Sequence, residues 1–458
     1  MRTLAALLLA LAGTLSAAAQ DGTLDPGFHG DGRWAAGTAG SWYVTALAVA
    51  PQDGRLVLAG YHRDDPDAVE EFYWRPLSAS TAGAGCYWQP AGALSLSVHA
   101  AGFTPGGKLV LVGTVDYGGD SVVAVARFDY PDCTLDDSFD GNGYATFSFS
   151  GDAKGFALAI DPDNGKLVLA GTVWNGAEHL SDVLVMRLLG NGARDNSFDG
   201  NGQLAVDWEG GTDEARDVAI DGEGRIVVAG YVSELGGSFA NRDGVLLRFL
   251  DNGDLDNSFS GDGKLRVAFD VAPATQAGSA DWFQALAVEP SGRILAGGFA
   301  GTSVGLNATV VAVLDNGALD PDFRSGGKVH FRFELQQTHQ QTTGLALEPT
   351  GRILLSGTSG DMASGEVTRL AAVRLRPDGE PDTRWSGDGV ALVPFVVGGE
   401  EEPFWTHRTL LHDFQMVVGG ELVSSGVLVP AAARLRTGIL FAENFDRGDF
   451  SVWSDTTP

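Results

Sequence analysis

The sequence predicts an all-β protein, a seven-bladed β-propeller of four-stranded antiparallel blades. Two observations carry this prediction: a glycine-ended apolar string that recurs seven times, and turn sequences that divide each repeat into short strands. Helical periodicity is nowhere sustained, because Gly or Pro interrupts every candidate segment. Strands buried on both faces suit blades that pack face to face around an axis. A propeller also hides the strand edges that a linear array of sheets would expose.

The apolar string sets the length of the repeat. Its copies, such as "NGKLVLAG" and "EGRIVVAG", end at seven glycines: Gly60, Gly113, Gly171, Gly230, Gly298, Gly357 and Gly420. The steps between them range from 53 to 68 residues, with a mean of 60. Because the string is apolar on consecutive residues, both faces of this strand are expected to be buried. Seven such units account for residues 20–436.

The fifth unit shows the predicted strands most clearly. They are expected at Lys264–Phe269, Phe283–Val288, Arg293–Phe299 and Thr309–Leu314, with the turn "EPSG" before the third. If the strand at Lys264 is the first of its unit, it should begin at the axis. The residues predicted to line the axis are then Arg33, Tyr144, Gln203, Lys264, Lys328 and Val390. That set could not hold a cation, so catalysis at this entrance is not expected.

A second string, Asp-x-x-Phe before a glycine turn, is predicted to link successive units, as in "LDNSF" at Leu255–Phe259. We interpret the Phe as an anchor buried between blades and the Asp as a turn-capping side chain. A binding role for each copy is the alternative.

Charged residues recur around this link. Six fourth strands carry an Arg in an apolar run: Arg75, Arg127, Arg187, Arg248, Arg374 and Arg434. The links carry Asp25, Asp136, Asp195, Asp256, Asp320 and Asp382. Because a guanidinium among apolar neighbours needs a planar acceptor, Arg–Asp or Arg–carbonyl bonds are expected in most blades.

The turn, the Arg-bearing strand and the Asp-x-x-Phe recur in register, in a pattern that resembles the delta-60 repeat. This is a bacterial family of predicted propeller modules found in secreted proteins, and the resemblance covers about Asp21 to Arg436. It implies the fold and export, and it carries no established activity or catalytic residue. The tail, residues 437–458, departs from the pattern. It is similar to short segments that end many secreted bacterial proteins, or it is the decayed start of an eighth unit.

The first residues have the layout of a secretory signal peptide. Arg2 precedes an apolar run from Leu4 to Leu15, and a small-residue cleavage site follows near Ala19. No stretch approaches the roughly 20 apolar residues of a membrane helix. We therefore expect residues 1–19 to be removed and the mature chain to be a secreted monomer, extracellular or periplasmic. In an oxidising compartment, Cys86 and Cys133 are expected to form a disulfide between neighbouring blades.

The charge of the chain excludes some partners. Asp and Glu number 59 against 30 Lys and Arg, a net charge of −29. Such a surface repels nucleic acid and anionic lipid. No cofactor is required, and calcium is the metal candidate, because oxygens in glycine turns are supplied by Asp161, Asp163, Asp251 and Asp256. Asp and Asn also form turns without any metal, which is the alternative.

Two catalytic motifs are matched only in part. The GxSxG match at Gly301–Gly305 lies in a loop between strands, whereas a nucleophile elbow leads into a helix. The segment Gly102–Lys108 resembles a P-loop but lacks the Ser or Thr after the Lys. The eight histidines show no tight metal-ligand spacing.

Loops that vary between units are expected on one face and the repeated strings on the other. Aromatic residues gather in the variable loops, and the candidates for ligand binding are Trp42, Tyr43, Trp174, Trp282, Phe283 and Trp405. Exposed aromatic rings beside carboxylates bind proteins or glycans; filling gaps under long loops is the alternative. The sequence therefore favours a secreted, non-enzymatic binding or cell-surface-associated module. A hydrolase or lyase acting on an extracellular polymer or lactone is the alternative, which two or three carboxylates and a His in one pocket would favour.

Overall fold

A computed structural model describes the fold for residues 24–25, 33–35, 41–63, 68–77, 85–174, 180–208, 210–233, 241–269, 279–302, 305–334, 339–360, 369–397, 400–412, 415–424 and 427–437. The predicted signal peptide, residues 1–19, and the tail beyond residue 437 lie outside these ranges. Every regular element in the described ranges is a β-strand. Within those ranges, no helix is long and apolar enough to cross a membrane.

Most strands pair as antiparallel meanders of consecutive strands. The first contains β2 (Ser41–Val49), β3 (Leu56–Arg63), β4 (Glu71–Pro76) and β5 (Cys86–Trp88). The second contains β6 (Ser95–Phe103), β7 (Leu109–Asp116), β8 (Val122–Asp129), the short β9 (Thr134–Leu135) and β10 (Tyr144–Phe147). The third contains β11 (Ala153–Ile160), β12 (Leu167–Trp174), β13 (Ser181–Leu188) and β14 (Gln203–Val206).

The next three meanders are joined into one twelve-stranded sheet by short parallel contacts. They contain β15 (Glu214–Ile220), β16 (Ile226–Ser233), β17 (Asn241–Phe249) and β18 (Lys264–Val267); β19 (Ser279–Val288), β20 (Ile294–Thr302), β21 (Gly305–Val313) and β22 (Lys328–Phe331); and β23 (His339–Leu347), β24 (Ile353–Gly360), β25 (Arg369–Leu375) and β26 (Val390–Val393). A separate hairpin follows, formed by β27 (Phe395–Val397) and β28 (Glu400–Glu402).

The two ends of the described chain meet in one sheet. It contains β29 (Phe404–His412), β30 (Gln415–Ser424), β31 (Val427–Arg436) and, beside β31, the N-terminal β1 (Arg33–Ala35). We call β2, β6, β11, β15, β19, β23 and β29 the inner strands. Each inner strand contacts the next along the chain, and β29 contacts β2. The inner strands therefore form a ring of contacts.

The glycine-ended strings form the second strand of each meander, and their predicted burial is confirmed. All eight residues of β16 are buried, as are all eight of β24. Apolar clusters join neighbouring meanders; Val112 of the second packs in one cluster with Leu169 of the third. The core is thus a series of layers between successive sheets.

The predicted order of strands within a blade is wrong by one position. The strand at Lys264 pairs with β17 of the preceding unit, at Leu247↔Lys264. The link string is short, and a short connection joins antiparallel neighbours of one sheet. The residues predicted to line the axis instead lie on the strands at the other end of each meander: Arg33, Tyr144, Gln203, Lys264, Lys328 and Val390.

The prediction of Arg–Asp pairs in most units is confirmed, and the pair in the fourth unit shows a larger arrangement that we call the arginine cluster. In the fourth unit, Arg248 Nε lies 2.7 Å from Asp256 Oδ2, and Nη1 donates to the Asp315 carbonyl at 2.6 Å. The Arg248 guanidinium lies 4.8 Å from the ring centre of Phe259. Ser258 N donates to Asp256 Oδ1 at 2.9 Å, so the Asp also caps the turn. Arg248 therefore connects the link that follows its own strand to the turn that begins the next link.

The arginine cluster recurs along the chain. Further pairs are Arg127–Asp136 at 2.9 Å, Arg187–Asp195 at 2.8 Å, Arg374–Asp382 at 3.1 Å and Arg434–Asp25 at 2.6 Å. The fifth unit has Ala312 at the position of the arginine, one residue before the Val313 expected from the sequence, and pairs Asp320 with Arg293 at 2.7 Å. The aromatic anchors are at most 1% exposed, as expected: Phe139, Phe198, Phe259, Phe323 and Trp385.

Cys86 and Cys133 are joined by a disulfide, with their Cα atoms 5.3 Å apart. Cys86 begins β5 of the first meander, and Cys133 precedes β9 of the second. The disulfide therefore connects neighbouring sheets at their outer strands.

Candidate functional site

Each inner strand carries a β-bulge at the same place. The shifts in register fall opposite the glycine that ends each apolar string, and each leaves one extra residue on the inner strand. These residues, which we call the bulge residues, are Thr45, His99, Phe156, Arg216, Gln284, Thr343 and His407. A β-bulge changes the direction of a side chain and leaves one residue without a partner in the hydrogen-bond ladder. Bulges are frequent beside functional sites.

The repeated glycine makes the bulge sterically possible. A Cβ placed on Gly230 would overlap the carbonyl oxygen of Glu214, two residues before the bulge residue Arg216. The same overlap, with the residue two before the bulge, occurs at all seven: Gly60, Gly113, Gly171, Gly230, Gly298, Gly357 and Gly420. The most constant residue of the repeat therefore permits a bulge whose own residue differs in most units.

Burial along the inner strands shows where the side chains point. In β29, Phe404 and Thr406 are buried, whereas Trp405 and His407 are half-buried. Because successive residues of a strand face opposite sides, Phe404 packs between sheets and the half-buried pair faces the centre of the ring. Thr406 is buried at the edge of this centre, with its Oγ1 2.6 Å from Oγ1 of the bulge residue Thr343. The other inner strands show the same alternation around the bulge.

The half-buried side chains surround a cavity of about 520 Å³, which we call the central cavity. All seven bulge residues line it, together with Gln341, Trp405, Thr406, Arg408, Glu421 and Leu428. The volume lies within the roughly 300–1,000 Å³ typical of small-molecule sites. Its lining combines aromatic rings, amides, hydroxyls, imidazoles and guanidinium groups.

Ion pairs hold the charged side chains of the cavity. Arg216 Nη2 lies 2.5 Å from Glu214 Oε2, and Arg408 Nη1 lies 3.2 Å from Asp217 Oδ1. In the wall formed by β29 and β30, His407 Nε2 lies 3.3 Å from Glu421 Oε1, and the other oxygen of Glu421 accepts from Val44 N at 3.2 Å. These contacts fix the direction of each charged group.

His99 is the most perturbed titratable group of the lining. Burial and, to a smaller extent, the nearby cations Arg216, Lys154 and Arg408 together lower its pKa to about 3. The imidazole is therefore neutral at any ordinary pH. Its Nε2 lies 2.9 Å from Ser97 Oγ, on the same face of β6. The shift also indicates a positive potential in this part of the cavity.

The predicted ligand-binding aromatics divide between two environments. Trp42 is 4% exposed and Phe283 0%, so the expectation that they are exposed is wrong for both. Their neighbours Tyr43 and Trp282 are half-buried at the positions that face the centre, and Trp405 lines the cavity. Trp174, at the end of β12, lies under the ammonium of Lys154 at 5.1 Å. In each adjacent pair, strand alternation sends one ring to the core and the other to the centre.

The predicted calcium ligands have other partners in the structure. Asp161 closes its own turn by accepting from Asp163 N at 2.9 Å. Asp251 Oδ1 accepts from Arg187 at 2.6 Å, and Asp256 belongs to the arginine cluster. Among the described residues, no group of three or more His, Cys, Asp or Glu is placed to hold a metal ion. Calcium binding stays a prediction.

A family model for repeats of this kind matches parts of the chain. A domain of unknown function described as a β-propeller (DUF5122) matches residues 163–198, 224–259 and 348–384. Each match starts in the turn before a second strand and ends at, or one residue before, a link anchor: Phe198, Phe259 or Trp385. The matched unit therefore contains the glycine-ended strand and the arginine cluster. No curated protein sequence matches the chain.

Solved structures match this chain at low sequence identity. The polysaccharide lyase Uly1 has a TM-score of 0.51 at 9% identity, with 91% of this chain and 100% of that chain covered. A protein of unknown function from Dyadobacter fermentans has a TM-score of 0.41 at 13% identity, covering 88% and 99%. A sialidase from Trypanosoma rangeli has a TM-score of 0.38 at 10% identity, covering 91% and 57%. The family model and the likeness to the lyase show a β-propeller fold for this chain.

Proposed function

We propose that the chain is a secreted, monomeric binding protein that holds a glycan in its central cavity. The observation that carries this proposal is the ring of bulge residues. In a repeat protein, positions that pack on a neighbouring repeat must stay alike. The bulge residues are mostly unlike one another, and all face one cavity. Packing between repeats therefore does not determine their identity, and they can suit a ligand.

The finer architecture in this proposal is a closed propeller of seven four-stranded blades, built from delta-60 repeats. The ring of contacts among the inner strands, from β2 round to β29, supports seven blades. The pairing of β1 with β31 and the Arg434–Asp25 ion pair support closure by the two chain ends. An experimental structure with six or eight blades, or with an open ring, would contradict it.

Export is the second part of the proposal. The signal-peptide layout of residues 1–19 and the Cys86–Cys133 disulfide support it. Expression of the full chain in a bacterial host should yield an exported protein that starts near Gln20, as read by mass spectrometry of its N-terminus. A cytoplasmic product that retains Met1 would contradict export.

The binding test uses purified residues 20–458 and a glycan array, followed by calorimetry on the best ligand. Trp405 lines the cavity and offers a ring for the apolar face of a sugar. Trp405→Ala should weaken binding at least about tenfold, as loss of a central aromatic anchor does. Trp208 is half-buried and absent from the cavity lining, so Trp208→Ala is the control and should bind normally. Unchanged binding by Trp405→Ala, or no glycan bound at all, would overturn the proposal.

A lyase or hydrolase on an extracellular polymer is the second candidate. It is favoured by the pairing of His407 with Glu421 in the cavity wall. The polysaccharide lyase with the same fold supports it only by analogy. Binding is preferred, because Glu421 is the one carboxylate in the described lining. Incubation with acidic polysaccharides, followed by ultraviolet absorbance and reducing-end assays, tests it. Product formation that Glu421→Gln abolishes would replace the binding function by an enzymatic one.

A further inference from the structure

The charge of the central cavity differs from that of the chain. The whole chain has about two acidic residues for each basic one, 59 against 30. The described cavity lining reverses this ratio, with Arg216 and Arg408 against Glu421 alone. Because the protein's overall field repels anions, two cationic groups in the lining of the central cavity point to a specific local function.

Arg216 has donors left for a ligand. Its guanidinium lies 4.7 Å from the ring centre of Phe156, so one face is held by an aromatic ring. Nη2 contacts Glu214, whereas Nε is buried and has no hydrogen-bond partner among the described residues. An arginine carries five N–H donors in a planar fork. The side chain is 28% exposed and lines the cavity, so the guanidinium can present N–H donors to a ligand there.

Arg408 is positioned by a carboxylate that is itself held. Asp217 Oδ2 accepts from Leu286 N at 2.8 Å, and Asp217 Oδ1 lies 3.2 Å from Arg408 Nη1. Asp217 does not line the cavity, so it orients Arg408 from behind. The Arg408 side chain is 23% exposed and presents its other donors to the cavity.

The remaining lining suits a sugar ring rather than a bare anion. Gln284, Gln341 and Thr343 offer amides and a hydroxyl to sugar hydroxyl groups. The single carboxylate, Glu421, is engaged by His407 and Val44 N, which weakens its repulsion of an anion. Arg216 and Arg408 also contribute, after burial, to the lowered pKa of His99, which agrees with a cationic environment in this part of the cavity.

We propose that the central cavity binds a sugar that carries one anionic group, with Arg216 and Arg408 as its anchors. The carboxylate of a uronic acid and the sulfate ester of a neutral sugar share this chemistry. Arginine binds both through paired N–H donors. This inference rests on the proposed glycan binding and adds the class of sugar.

The test compares sugars that differ at one carbon. Calorimetry at low ionic strength with D-glucuronate, D-glucose and glucose 6-sulfate separates the anionic group from the ring. The better of the two anionic sugars should bind about tenfold to a hundredfold more tightly than glucose, the range expected for charge-assisted hydrogen bonds. Glucuronate as the better ligand assigns a uronic acid, and glucose 6-sulfate a sulfated sugar.

Variants locate the anionic group. Arg216→Gln and Arg408→Gln should each remove most of the preference for the anionic sugar and leave glucose binding within about twofold, because only the charge-assisted bonds are lost. Arg216→Lys should retain part of the preference. Arg376 is 47% exposed and paired with Asp378 outside the cavity, so Arg376→Gln is the control. Thermal melting of each variant verifies that it is folded.

The two proposals fail differently. If glucose binds, Trp405→Ala abolishes that binding and the anionic sugars gain nothing, then glycan binding stands and the anion assignment is overturned. A preference for the anionic sugar that persists in both arginine variants overturns it as well. If none of the three sugars binds, the anion assignment falls together with the proposed function.

Discussion

The links and the inner strands use repetition in opposite ways. At the links, one set of contacts recurs: an arginine, an aspartate and an aromatic anchor, as in Arg187, Asp195 and Phe198. On the inner strands, the backbone bulge recurs while its residue changes, from Phe156 to Arg216 in successive strands. The first region repeats chemistry and the second repeats only geometry. This contrast separates residues that hold the sheets together from residues available to a ligand.

The fifth unit shows how strong the requirement at the links is. Its third strand has Ala312 where other units have an arginine, yet Asp320 is still paired, by Arg293. Arg293 precedes β20 and lies 5.4 Å from the ring centre of Phe323. Lys166 and Arg352 hold the same position before the second strand of their units and also pair with the link aspartate, at 2.9 and 2.8 Å. The fifth unit therefore keeps one of two cations that other units place beside this carboxylate. A carboxylate 6% exposed needs a cation wherever the chain can supply one.

The largest effect is expected from breaking an arginine cluster. Asp256→Ala removes the buried carboxylate from Arg248, which is 1% exposed and is left with Asp315, whose side chain is 49% exposed. The free energy of unfolding should fall by about 3–5 kcal/mol, because a buried charge loses its buried partner. Denaturant unfolding of this variant and of Asp254→Ala, an exposed aspartate in the same turn, measures it. The double variant Arg248→Met with Asp256→Ala should recover part of the loss. Equal stability of Asp256→Ala and Asp254→Ala would contradict a structural role for the cluster.

A substitution at the repeated glycine should affect both regions at once. Gly230→Ala places a Cβ against the carbonyl oxygen of Glu214 and forces the bulge to shift. We expect a loss of about 1–3 kcal/mol, typical of overpacking, together with weaker ligand binding as Arg216 moves. Gly222→Ala is the control, because nothing lies within 4 Å of its Cβ position. Wild-type binding by a folded Gly230→Ala variant would show that the bulge does not position the site.

The features that could be predicted from the sequence are those that every repeat shares. The glycine spacing, the buried strings and the Arg–Asp pairs follow from local rules on turns, apolar patterns and buried charge, and the structure contains them. Which strand lies innermost did not follow, because Lys264 and Phe283 begin equally plausible first strands. The link between β17 and β18 decides this question, and only the pairing shows that it is a hairpin within one sheet.

The candidate site was predicted only in part for a related reason. Trp405 was identified as an aromatic in a variable segment, but Arg216, Arg408 and His99 were not. The bulge residue cannot be located in an unpaired strand, because an extra residue is defined only against its partner. One signal was available: the invariant glycine of each string, such as Gly230, marks a close approach of backbone. The residue opposite that glycine differs between units. A position that varies opposite a glycine that does not could have located the ring of bulge residues.

A buried aspartate just before β15, Asp213, allows a pH test of the contrast between residues that hold the sheets together and residues available to a ligand. Asp213 is fully buried and accepts from Trp208 N at 2.6 Å, and burial raises its pKa to about 7. The folded state therefore keeps a proton that the unfolded chain loses near its ordinary pKa of 3.8. The resulting stability is fully present below that ordinary value and is lost as the pH rises through about 7.

We therefore expect the unfolding free energy to fall by up to about 1.4 kcal/mol per pH unit between the two pKa values. In Asp213→Asn this slope should be absent. The equivalent connection before β23 already uses a neutral amide, with Gln340 Oε1 accepting from Glu334 N at 3.0 Å. Denaturant unfolding at pH 5 and pH 8 measures the slope. The same slope in the variant and the wild type would assign the pH dependence to other groups.

The smallest effect on stability is expected from a side chain of the ring itself. Gln284 is half-buried in the wall of the central cavity, whereas Gln340 is 0% exposed between sheets. Gln284→Ala should change the unfolding free energy by less than about 0.5 kcal/mol, as surface substitutions do. Gln340→Ala removes both hydrogen bonds to the Glu334 backbone and should cost about 1–3 kcal/mol. Ligand affinity should show the reverse order, since Gln284 faces the ligand and Gln340 does not. A loss of stability in Gln284→Ala as large as in Gln340→Ala would mean that the ring supports the fold, and the division between repeated and varied positions would no longer identify the site.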